Sequence, residues 1–164
     1  MEKTVVGTMQ VKEIADVLNN VGAGMSTETY INGNAATLTL KAEDSGKTVL
    51  FNKADGCIVT LPASTPGLKF KFKVLVSVTS GAYGIYGAAT SDLFMGGIIS
   101  EDTDAANALV GFAPDVSDDD RMAMNGTTTG GLIGSWFEVE CIAAARWHIR
   151  GVNKGSGSVA TPFA

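Results

Sequence analysis

Cysteine occurs twice and histidine once in 164 residues. Two cysteines cannot build a disulfide framework, and nothing near them has the spacing of a metal-ligand set. Proline is nearly as scarce, at four against 20 glycines, which excludes a stiff linker while leaving many turns. Lysine and arginine number 12 against 17 acids, and a net charge of −5 with pI ≈ 4.7 argues against nucleic acid as the main partner. No stretch approaches the roughly 18 apolar residues of a membrane helix. The opening "MEKTVVGTMQ" also lacks the apolar core of a signal peptide. The reading is a soluble chain with no membrane partner, made in a reducing compartment.

Hydrophobic residues make up 45% and charged residues only 18%, which excludes wholesale disorder and suits one domain with a sizeable core. Charge is unevenly placed. Residues 1–50 hold four bases and six acids, 51–100 four and two, and 101–164 four and nine. Such asymmetry steers association between copies or partners.

Residues 1–9 read as an arm or a single edge strand. "QVKEIADVLNNVG" then places Val11, Ile14, Ala15, Leu18 and Val21 at helical spacing, with Gly22 as a stop. From residue 35 the period becomes two. "ATLTLKA", "KTVLFN", "CIVTLP", "AYGIYG" and "GGIIS" all read as short strands bounded by turn residues. "GLKFKFKVLVSV" is the clearest, with Leu68, Phe70, Phe72, Val74, Val76 and Val78 on one face and Lys69, Lys71 and Lys73 on the other. Residues 101–120 form an acidic excursion, with a helical turn expected at "DAANALV". The expected fold is all-β: a single-domain β-sandwich or barrel over 35–164, preceded at 1–34 by an arm and one short N-terminal helix. Its predicted core includes Leu38, Leu40, Phe51, Val59, Leu61, Phe70, Phe72, Val74, Val139, Trp147 and Ile149.

"GTTTGGLIGSWFEVECIAAARWHIR" gathers Cys141, the single His148, Glu138 and Glu140 behind a glycine-rich run. Alternation puts Phe137, Val139 and Cys141 on one face and the two glutamates on the other. Folding a hairpin at "AAA" pairs Cys141 with Trp147, Glu140 with His148 and Glu138 with Arg150. That arrangement denies Cys141 a base within hydrogen-bond reach, so the polar residues are read as cross-strand pairs and not as catalytic ones. "DSGKT" at 44–48 lacks the glycine a phosphate-binding loop needs five residues before Gly46, where Lys41 stands. Asp115, Asp118, Asp119 and Asp120 fit no calcium-loop spacing and read as a solvated loop. No catalytic residue, metal site or cofactor is predicted. The lysine stripe is read as a solvent face or as a contact for an acidic surface, such as the 101–120 segment of a neighbouring copy. Lys69, Lys71, Lys73, Asp118, Asp119 and Asp120 are therefore the candidate intersubunit or capsid contacts.

The succession "LTLKAEDSGKTVLFNKADGCIVTLPASTPGLKFKFKVLV", the later "NGTTTGGLIGSWFEVECIAAARWHIRGV" and the ending "ATPFA" resemble bacteriophage virion structural proteins of the head decoration (cement) type. The resemblance spans residues 36 to 164 and rests on strand-and-turn motifs, so it brings no catalytic residues with it. It implies a non-enzymatic protein on the capsid surface, assembled in the host cytoplasm. The major capsid protein and further copies of the chain, as a homotrimer, would be its partners. The alternative is a tail-fibre or receptor/glycan-binding module. Such a module would want exposed aromatics, for which Trp136, Tyr83 and Tyr86 are the candidates.

Overall fold

Alternation of apolar and polar side chains builds most of this molecule, and the strands it produces sort into two sheets. The computed structural model describes residues 30–104 and 108–164. The arm at 1–9 and the helix expected over 11–21 lie outside the described residues. In chain order the strands are β1 (Tyr30–Gly33), β2 (Thr37–Thr39), β3 (Thr48–Phe51), β4 (Cys57–Thr60), β5 (Lys69–Val74) and β6 (Tyr83–Tyr86). They continue as β7 (Leu93–Asp102), β8 (Leu109–Phe112), β9 (Arg121–Met124), β10 (Trp136–Ala143) and β11 (Arg146–Gly155). One sheet has the order β1-β3-β5-β10-β11-β7-β8, and the other β2-β4-β6-β9. The expected all-β architecture is present as two sheets over one core.

The first six strands alternate between the sheets. β1, β3 and β5 pair in parallel in the large sheet, and β2, β4 and β6 pair in parallel in the small one. The chain therefore winds as a coil, each strand pairing with the strand two places on. Successive corners stack: Thr79 donates its N–H to the carbonyl of Ala54 at 2.8 Å, and the Ser80 hydroxyl donates to the Asp55 carboxylate at 3.1 Å. Gly56 sits in this corner at φ 92°, where a Cβ would lie 2.2 Å from the Ala82 carbonyl oxygen, so only glycine fits. The β10–β11 hairpin fills the middle of the large sheet, between β5 and β7. Its turn places Ala145 at φ 57°, a left-handed conformation. The final segment Pro162–Ala164 hydrogen-bonds along β9, with Phe163 buried against Met122.

The core lies between the sheets. Phe51 stacks on Phe72 and on Tyr83 at centroid distances of 5.8 and 4.5 Å, and Phe70 meets Trp147 at 6.1 Å. All the predicted core residues are buried except Leu38, which is only partly covered on the short edge strand β2. Three further expectations are corrected. Val76 does not continue the inner face of β5. That strand ends at Val74, and the N–H groups of Leu75 and Val76 both turn to the Phe51 carbonyl, leaving Val76 exposed. Leu109 and Val110 belong to β8, not to a helical turn, whose residues 105–107 lie outside the described residues, so 101–102 and 109–112 of the acidic excursion are strand. Tyr83 is buried in the core and hydrogen-bonds the Val76 carbonyl at 2.8 Å.

Candidate interaction surface

The outer face of the large sheet is written in rows that cross β5, β10 and β11. The hairpin register is the one read from the sequence, with Cys141 opposite Trp147, Glu140 opposite His148 and Glu138 opposite Arg150. On the other flank of β10, Glu140 faces Lys69, Glu138 faces Lys71 and Trp136 faces Lys73. The first row is thus Lys69–Glu140–His148 and the second Lys71–Glu138–Arg150, with an acid flanked by a base on each side. The Lys69 ammonium lies 3.1 Å from the Glu140 carboxylate. Arg150 donates to Glu138 from both Nε (2.8 Å) and Nη2 (2.5 Å). A shallow depression of about 360 Å³ lies over these two rows.

The third row changes character. Leu50, Lys73, Trp136, Val152 and Ile99 follow one another across β3, β5, β10, β11 and β7. Trp136 is 42% exposed and Ile99 48%. Just beyond the end of β5, exposed Leu75 joins Leu50, Val74 and Trp136 around a largely apolar hollow of about 320 Å³, with Lys73 at its rim. Ile133, also exposed, stands on the neighbouring loop, whose backbone is tied to the Ser77 hydroxyl at 2.9 Å. The candidate surface therefore has a charged half whose acids are flanked by bases and an apolar half that faces solvent.

The predicted acidic contacts form a separate feature. Asp115 opens a tight turn: its carboxylate accepts from the Ser117 N–H at 2.9 Å and the Ser117 hydroxyl at 2.6 Å. These bonds hold its carboxyl below the usual carboxylate range. The Asp119 carboxylate closes the turn by accepting from the Asp115 N–H at 2.7 Å. Asp118 is exposed, Asp120 lies 3.9 Å from the Arg121 guanidinium, and Val116 stands at the turn's tip, 53% exposed.

The fold does not bring the two predicted groups together. The Asp119 carbonyl accepts the Phe94 N–H, and Phe94 pairs with Trp147, which pairs with Cys141. Trp136 is five positions from Cys141 along β10, roughly 17 Å at strand rise, and Phe94 is two strands away, about 10 Å. Lys73 and the aspartates therefore lie at opposite ends of the strands, whereas Lys69, in the row next to Cys141, lies at the aspartates' end but on strand β5, three strands across from β7.

The reactive residue types are placed without mutual reach. Cys141 is buried on the inner face, while His148 stands on the outer face. Burial pushes the Cys141 thiol up, and the charge of Asp92 adds to the effect. Among the described residues, no three His, Cys, Asp or Glu side chains converge to hold a metal ion, and no helix is long and apolar enough to cross a membrane.

Sequence reading missed the apolar half. One signal was available: "VLV" at 74–76 breaks the alternation of β5, so one of the three must face out. Trp136 was legible by parity, since it shares the face of Glu138. Of the remaining aromatic candidates, Tyr83 is buried and Tyr86 is half-buried, with the Arg121 guanidinium 6.0 Å from its ring centre. No family model, curated protein or solved structure matches this chain.

Proposed function

We propose that this chain is a non-enzymatic structural protein that associates with its own copies and binds a repeated surface, the outside of a phage capsid, as a head decoration protein. The observation that carries the binding role is the half-apolar outer face of the large sheet, where Leu75, Trp136 and Ile99 face water beside a ladder of paired charges. Exposed apolar groups clustered at one end of a sheet with a polar surround are what an interface core and rim require. The capsid as partner rests on the resemblance of residues 36–164 to decoration proteins. A homotrimer suits it, because repeated modest contacts on a lattice gain avidity without new kinds of interaction. Support for a non-enzymatic role is the separation of Cys141 from His148 by the thickness of the sheet.

Trp136 favours one alternative, a tail-fibre or glycan-binding module, since an exposed indole is a stacking platform for a sugar. Quantitative mass spectrometry of purified virions separates the two. Decoration predicts hundreds of copies per particle, whereas a few dozen or fewer would overturn it in favour of a tail part.

A further inference from the structure

We propose that copies of this chain join head to tail, the Asp115–Asp119 turn of one copy seating Val116 in the apolar hollow formed by Leu50, Leu75 and Trp136 of the next. The inference rests on the self-association reading above and names the two surfaces that meet. The occupant is argued from shape, chemistry and position. Val116 is an exposed apolar side chain at the tip of a turn that three backbone-to-carboxylate or hydroxyl-to-carboxylate bonds hold rigid. Such a knob docks with little ordering cost. The hollow is apolar in its walls and carries Lys73 at its rim. The knob is flanked by Asp115, Asp118 and Asp119, so the charges at the two rims are opposite in sign.

Knob and hollow lie at opposite ends of the strands, too far apart to meet within one copy. A contact made in one direction, the knob of each copy filling the hollow of the next, is heterologous, and it either closes into a ring or runs on as a filament. Three copies closing in this way give the trimer proposed above, and each copy then buries its Leu75 and its Val116 once.

The test is the association state of full-length protein by light scattering and sedimentation velocity at tens of micromolar. Wild type is expected to associate. Val116→Asp breaks the knob and Leu75→Asp breaks the hollow, and each alone is expected to be monomeric, with association weakened at least ~10-fold. Mixed one to one, the two variants are expected to form a species of two copies, because one knob and one hollow remain intact. An interface in which each patch meets its own copy gives no such rescue, and a wild type that is itself a two-copy species means a reciprocal knob-and-hollow dimer and overturns the head-to-tail ring. Both positions are exposed, so thermal melts should match wild type; if a melt falls, Val116→Ser and Leu75→Ser serve in their place. A wild type that associates while either substitution leaves association unchanged, or a mixture that stays monomeric, overturns the head-to-tail contact and leaves self-association standing. A monomeric wild type overturns both.

Discussion

Cys57 and Cys141 show how little chemistry a residue type implies before its surroundings are known. Both side chains are fully buried. Burial pushes each thiol up, opposed weakly by the charge of Lys53 at Cys57 and by a backbone hydrogen bond from Ala143 at Cys141. Burial also pushes the Tyr83 phenol up. A thiol in the unfolded chain ionises near pH 8.5. With the folded value raised above the unfolded one, the thiols' contribution to stability is fully present below that pH and is lost as pH rises through the folded value. Urea midpoints should therefore hold steady from pH 6 to 8 and decline above about 8.5. A Cys57→Ala/Cys141→Ala variant, less stable throughout, should decline less steeply. An equal slope in the variant would remove the thiols as the cause.

At the scale of the strand, Glu138 is the centre of the charge ladder, with Lys71 on one side and Arg150 on the other. Glu138→Lys would set three bases side by side and should cost about 1 kcal/mol in urea unfolding, more at low salt, with Glu138→Gln costing roughly half as much. A Glu138→Lys protein as stable as wild type at low salt would show that the ladder contributes nothing. This ladder was half legible in the sequence. Alternation told which face each residue takes, and the two-residue link at Ala144–Ala145 made the hairpin pairing of Glu138 with Arg150 readable. Its pairing with Lys71 was not, because β5 and β10 are joined by neither a short turn nor a shared motif. The same limit hid the coil of β1 to β6. A period of two fixes a strand's faces, but parallel partners here are separated by a whole strand of the other sheet, so a turn such as "EDSG" gives no hint that the chain is crossing between layers. It also hid the hollow, whose walls come from β3, the end of β5 and the start of β10.

For the molecule as a whole, this wiring makes most pairings distant in sequence, and one pairing stands apart. β10 and β11 are long, adjacent and joined by a two-residue turn, and they form the middle of the large sheet. Closing that hairpin costs little loop entropy, whereas seating β5 and β7 against it closes long loops first. Chains dominated by such non-local pairings fold in roughly milliseconds to seconds. The hairpin is therefore expected to be structured in the folding transition state, and the final segment, where Phe163 covers Met122, to dock after it. Stopped-flow chevrons read this directly. Val139→Ala, in the buried face of the hairpin, should lose most of its stability through slower folding, while Phe163→Ala should act mainly through faster unfolding. The opposite assignment would mean that the molecule closes from its C-terminal edge, with β9 organised first and the hairpin that carries Glu138 and Trp136 inserted last.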